Sequence, residues 1–263
     1  MNKVFVILLT LSLVLGCNNG TEKSEEKSQS ENQISKKTKN INLLLGFDYL
    51  GKAIQKKDTH VWGSSPVKGK DGKIHLFVSE WSVPKDKEER FSGWFKHSQI
   101  AHYVADKPNG PFQFLRIAVP DNNDTFNAPH NPTIQYIDGK YVLCFIVNEN
   151  NDTKTQRIVM YVSDNLNDDW KPAAGAKPDG TMLASPQESS IWNFNPRLGV
   201  SNPSLIKHNN KYMLYYKSVI LNPQDKDIRR NWDYGYGVAL SDNLEGPYKY
   251  HSKRVTEEGL ELE

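Results

Sequence analysis

Trp62, Trp81, Trp94 and Trp232 recur through the body of the chain with polar and ionisable residues beside them. Glu80 precedes Trp81, Asp233 follows Trp232, His97 lies three positions after Trp94, and Asp58 stands four before Trp62. Carboxylates so placed can give or take a proton at a reacting bond, and a histidine, with an ordinary pKa near neutrality, can do either. Glu80, Asp233, His97 and Asp58 are therefore the candidate catalytic groups. Trp62, Ser65, Trp81, His130, Asn131, Asn202 and Lys217 are the candidate binding groups. The asparagines can bond a hydroxyl but cannot protonate a leaving group, while Lys217 can hold a carboxylate or sulfate. An aromatic floor with polar groups converging on it matches a sugar, which has an apolar face and many hydroxyls. Each residue also has a structural reading. The tryptophans can be packing between elements, the carboxylates solvated loop charges, and the histidines neutral hydrogen-bonded residues.

The elements that must position these residues are visible as repeats. SPVKGKDGKIHLFVS from Ser65, NPTIQYIDGKYVLCFI from Asn131 and NPSLIKHNNKYMLYYK from Asn202 share one plan, with starts 66 and 71 residues apart. Each has a small polar residue, a proline, a short strand, a turn (Asp71-Gly72, Asp138-Gly139, Asn209-Asn210) and a second apolar strand. Asp-Gly between such runs predicts a type I′ hairpin, and the proline fits a strand's first residue, where no ladder donor is needed. A second unit follows each time: IAHYVADKPNGPFQF, IVMYVSDNLNDDWKP and YGVALSDNLEGPYKY, with matching Asp106, Asp164 and Asp242. One repeat is two hairpins, hence four antiparallel strands, and radial repetition of such units is a β-propeller. An antiparallel sandwich is the alternative.

The N-terminus reads as an address. Met1 to Lys3 are short and basic, Val4 to Leu15 mostly apolar, and Gly16-Cys17 follows. The run is shorter than the ~20 residues of a spanning helix and has the anatomy of a signal peptide. Val14-Leu15-Gly16-Cys17 resembles the bacterial lipobox, which implies residues 1–17 as a lipoprotein signal and Cys17 as the lipidated residue; an ordinary secretory signal is the other reading. Asn18 in place of Asp favours the outer membrane by resemblance to enterobacterial sorting. Residues 18–42 are too polar to bury a core and read as a disordered tether, leaving 43–263 as the folded body. The membrane is thus expected as a partner through the lipid anchor only. With 33 basic against 31 acidic residues and a net charge of +2, nucleic acid is excluded as the main partner. No metal-ligand spacing, Gly-rich phosphate loop or nucleophile elbow occurs, so no cofactor is expected. Cys144, the only cysteine besides Cys17, sits in LCFIV and reads as a buried core residue.

The proline-led strand starts, the D-G-K-[YI] hairpins and the D-x-x-x-G-P-[FY] turns together resemble the five-bladed propeller glycosidases. These are the glycoside hydrolase family 43 relatives with the levansucrase and invertase group. VWGSSPVKGKDGKIHLF, HSQIAHYVADKPNGPF and HNPTI are similar to an uncharacterised bacterial branch, over roughly Ile54 to Tyr250. The resemblance implies three carboxylates, a base, a pKa modulator and an acid, at the starts of successive inner strands. Those positions here are Ser65, Asn131 and Asn202, and none is acidic. Inverting hydrolysis needs an acid and a base about 6.5–9.5 Å apart. The expectation is therefore either displaced catalytic groups or a propeller that binds sugar without cleaving it. Repeat spacing places a fourth inner strand near about position 270, past Glu263, so about three blades of a five-bladed, C-terminally incomplete ring are expected.

Overall fold

Alternating apolar and polar residues around short turns become, in each repeat, a meander of antiparallel strands. The computed structural model describes residues 51–83, 92–122, 124–221 and 232–255. The side chains of Leu221, Trp232 and Asp233 lie outside that description, as do Cys17 and the expected signal and tether. Blade one is β1 (Thr59–Lys68), β2 (Ile74–Ser82), β3 (Gln99–Ala105) and β4 (Gln113–Val119), paired in that order. A single helical turn, α1 (Gly93–Lys96), precedes β3. Blade two is β5 (Asn127–Ile137), β6 (Lys140–Glu149), β7 (Asp152–Ser163) and β8 (Lys171–Pro172), with β9 (Thr181–Leu183) also paired to β7. Blade three is β10 (Leu198–His208), β11 (Lys211–Leu221), β12 (Trp232–Ser241) and β13 (Lys249–Tyr250).

Two hairpins follow turn chemistry closely. Asp138 and Gly139 both have positive φ, and so do Asn209 and Asn210, as a two-residue type I′ turn requires. The first hairpin differs from expectation. Its ladder ends at Lys68 opposite Ile74, and the five-residue loop between them closes by Gly69 N donating to Lys73 O at 2.8 Å. Only Gly72 of the Asp71-Gly72 pair has positive φ there.

Packing separates a propeller from a sandwich. Blade two is buried on both faces: Ile134, Leu143, Phe145 and Val159 pack with Phe77 and Ile100 of blade one. Its other face packs Val142, Cys144, Ile158 and Met160 against Leu205, Leu214, Tyr216 and Ala239 of blade three. A two-sheet sandwich buries only one face of each sheet, whereas a blade between neighbours buries both. β6 accordingly carries eight consecutive buried residues, Tyr141 to Asn148. Fully burying an aliphatic or phenyl side chain stabilises by about 1.5–3 kcal/mol, which makes these interfaces the main support of the site. Cys144 is a buried free thiol, and burial pushes its pKa up to about 12, so it packs as a small apolar residue.

Candidate functional site

The site grows from a defect repeated in the three inner strands. Trp62 pairs with Ser79 and Ser65 with Phe77, so β1 carries one more residue than β2 across that interval. The same extra residue lies between His130 and Thr133 in β5 and between Ser201 and Ser204 in β10. Each is a β-bulge, which leaves a residue unpaired and re-aims its neighbours. Gly63, Asn131 and Asn202 occupy equivalent places, with φ of 58°, 47° and 50°. Glycine takes that conformation freely, and asparagine is among the few other residues that do so readily.

The bulges meet. A side chain on Gly63 would place its Cβ 3.0 Å from Asn131 Oδ1. Asn131 Nδ2 donates to Asn202 Oδ1 at 2.9 Å, and Asn131 N donates to Ser79 Oγ at 2.8 Å. Three blades are thereby joined through one polar seam. Around it opens a cleft of about 230 Å³ whose lining includes Trp62, Trp81, Trp94, His130, Asn131, Asn202 and Lys217. Ser79, Ile146 and Lys217 sit opposite the bulged strands at equivalent positions of β2, β6 and β11. Gln156, Leu198, Ser201 and Val219 complete the wall.

The aromatic floor is graded. Trp62 is 49% exposed while Trp81 is buried, and their rings lie 6.3 Å apart. Trp94, on α1, meets the His130 ring edge-on at 5.0 Å. His130 is buried and its Nδ1 donates to Ala128 O at 2.7 Å, leaving Nε2 to accept from Gln156 Nε2 at 3.4 Å. Burial disfavours the imidazolium and lowers its pKa to about 4. His130 is thus neutral at pH 7 and presents an acceptor to the cleft. Lys217 is half-buried, and its ammonium lies 4.5 Å from the centre of the Tyr234 ring. Burial lowers its pKa. Among the described residues, no aspartate or glutamate lines this cleft.

The sequence candidates separate accordingly. Trp62, Trp81, His130, Asn131, Asn202 and Lys217 are brought together. Ser65 is not: register makes Gly63 the partner of Asn131 and Asn202, while Ser65 Oγ accepts from Ile134 N at 3.0 Å between blades one and two. Glu80 faces the other side of β2 from Ser79 and Trp81. It is only 3% exposed. Its carboxylate accepts two bonds from Lys56 Nζ at 3.0 Å, one from Tyr103 Oη at 2.9 Å and a longer one from Gln99. Asp58 is exposed in the turn before β1, with φ of 52°. His97 caps α1 through its backbone and is exposed. Neither lines the cleft. Asp233 pairs by its backbone with Ile220, and its side chain is outside the described residues. In blade two, Asn148 is buried at the end of β6 with Nδ2 donating to Phe95 O at 2.9 Å.

A larger groove, about 780 Å³, lies at the opposite strand ends of blades two and three. Among the described residues its lining has no aromatic, and its Lys140 and Glu245 are paired with each other. It offers a sugar no stacking face, so the aromatic cleft is the candidate site.

No family model matches the sequence, and no curated protein matches it either. Solved structures do match in fold. A family 117 glycoside hydrolase from the marine bacterium Zobellia galactanivorans superposes with a TM-score of 0.57 at 17% identity, over 78% of this chain and 58% of that one. An endo-arabinase from Bacteroides thetaiotaomicron gives 0.48 at 15% identity, over 74% and 62%. A family 32 β-fructofuranosidase from Bombyx mori gives 0.49 at 12% identity, over 76% and 38%. With the blade packing above, the first of these gives the chain a β-propeller fold shared with a glycoside hydrolase; the chain spans 58%, 62% and 38% of the length of the three proteins.

Proposed function

We propose that this glycosidase-like propeller holds an oligosaccharide in the cleft between its three inner strands and does not cleave it by a carboxylate pair. One observation carries the reading: three tryptophans and two asparagines converge there, with no carboxylate among the described lining residues. Stacking on Trp62 would take the apolar face of a pyranose, and the amides of Asn131, Asn202 and Gln156 would meet its hydroxyls. The positions that the resemblance assigns to carboxylates, Ser65, Asn131 and Asn202, hold no carboxyl group, and neutral His130 has its Nδ1 proton committed to Ala128 O. Hydrolysis is the second reading, favoured by the shared fold. Cys17, as a lipidated residue, would hold this cleft at the cell envelope, in reach of exposed glycans.

Calorimetric titration of the protein with a panel of plant and algal oligosaccharides, with product analysis of the same mixtures, separates the readings. Saturable binding that Trp62→Ala weakens, with no reducing ends released, is expected. Release of product, abolished by a substitution in the cleft, would establish hydrolysis and overturn the binding-only reading.

A further inference from the structure

One charged side chain stands out in the cleft. Equivalent positions of the three second strands carry Ser79, Ile146 and Lys217: a hydroxyl, an aliphatic group and an ammonium. The cation thus enters from blade three alone. Its backbone is fixed on both sides, by pairing with Ser201 in β10 and Tyr236 in β12. Ser201 Oγ also donates to Lys217 O at 3.3 Å. Of the described residues lining the cleft, Lys217 is the only lysine or arginine, and none is acidic.

That is an unusual setting for a lysine. Removing an ammonium from water costs free energy that an adjacent carboxylate ordinarily offsets. Lys217 instead has the face of Tyr234 at 4.5 Å, a cation–π contact that compensates in part. By contrast Lys56, Lys140, Lys207 and Lys211 each reach a carboxylate oxygen within 3.0 Å. Those four lysines have a counter-charge at hand, and among the described residues lining the cleft Lys217 has none. Burial also depresses the Lys217 pKa, and an anion brought beside it would reverse that shift.

Resting on the carbohydrate reading above, we infer that the ligand is an acidic saccharide whose carboxylate or sulfate ester is received by the Lys217 ammonium, with the exposed amide of Asn202 beside it in the same cleft. The ring stacks on the tryptophans, and the single cation at one end of the cleft sets which way the chain runs. Uronate and sulfate share this chemistry, and the test carries an arm for each.

Binding of an oligogalacturonate and of its methyl ester is measured by calorimetry, and likewise a sulfated galacto-oligosaccharide and its desulfated form. Wild type, Lys217→Met, Lys217→Gln and Trp62→Ala are compared, each checked for a native unfolding transition. A hydrogen bond to a charged group is worth enough to predict a preference of about tenfold or more for one acidic ligand over its neutral counterpart. Both Lys217 substitutions should collapse that ratio towards one, and salt should reduce it in the wild type. The arm that shows the preference identifies the anion. Equal affinity for charged and neutral forms, or a preference that survives both substitutions, would overturn the inference. If those same ligands bind in a Trp62-dependent way, the carbohydrate reading stands without it. Binding to none of the four by any variant would remove both.

Discussion

His130 makes the cleft's support measurably dependent on acid. Its folded-state pKa of about 4 lies below the ordinary value of 6.5, because burial disfavours the imidazolium. The unfolded chain binds a proton near pH 6.5 while the folded chain does not, so stability falls as pH falls. The contribution is fully present above pH 6.5 and is lost as pH drops through 4. A difference of about 2.5 pKa units, at 1.36 kcal/mol each, corresponds to about 3 kcal/mol between pH 7 and pH 4.

The perturbation is His130→Asn. An asparagine amide placed at Nδ1 can keep the donor bond to Ala128 O, which is 2.7 Å long in the wild type, while removing the titrating ring. The variant should be less stable at pH 7, by about 1–3 kcal/mol for the cavity left beside Trp94. Denaturant unfolding of both proteins at pH 7, 6, 5 and 4 should then show the gap shrinking as pH falls. His102, whose pKa burial and neighbouring His75 push down to about 3, destabilises both proteins in the same direction and cancels in the difference. Parallel loss of stability in wild type and variant would refute the assignment of His130 as a buried neutral imidazole. So would a ring resonance that titrates near pH 6.5 in the folded protein.

Glu80→Gln should lower stability by about 2 kcal/mol, or roughly 4–8 °C in melting temperature, while leaving saccharide affinity within about twofold. The Lys56 pair is exposed on the lysine side, 38%, and adds under about 1 kcal/mol, so most of the loss is the Tyr103 bond; a large loss of activity or binding with unchanged melting would restore Glu80 as a site residue. Burial raises the phenol pKa of Tyr103, Tyr216, Tyr248 and Tyr250 above the ordinary 10.0, a contribution present below pH 10 and lost above it. Phenolate absorbance from these four should therefore appear together with the loss of circular dichroism on alkaline titration, and earlier stepwise ionisation would contradict their burial. A fatty-acid probe fed to cells should label the wild type and not Cys17→Ser; label retained in the variant would show that Cys17 is not the acylated residue.

The repeats are legible in sequence because hairpin chemistry is local. Asp138-Gly139 and Asn209-Asn210 specify their turns by backbone conformation alone, and the proline-led strands follow at nearly even spacing. Register is not local, and the site depends on it. Aligning the prolines sets Ser65 beside Asn131 and Asn202, yet WGSSP carries two more residues between its bulge and its proline than HNP or SNP does. What the three positions share is positive φ, which Gly63 supplies without resembling asparagine. A single residue likewise divides Glu80 from Trp81. Neighbours in a strand face opposite sides, so the adjacent pair splits into an ion pair under blade one and a wall of the cleft. Ser79, Ile146, Gln156, Leu198 and Val219 carry no chemical signal in a sequence and join the site only once pairing is known. Counting backwards from Trp81 in steps of two would have found Ser79, and the equivalent step in β11 joins Lys217 to Val219. The same counting yields the functional point. The chemistry that sequence spreads over four acidic or basic candidates resolves, after register is applied, into one neutral histidine and one lysine without a counter-charge in a carboxylate-free described cleft. That pairing of a lysine with an aromatic floor is what the proposed acidic saccharide would meet, and the Lys217 and Trp62 substitutions are the changes that test it.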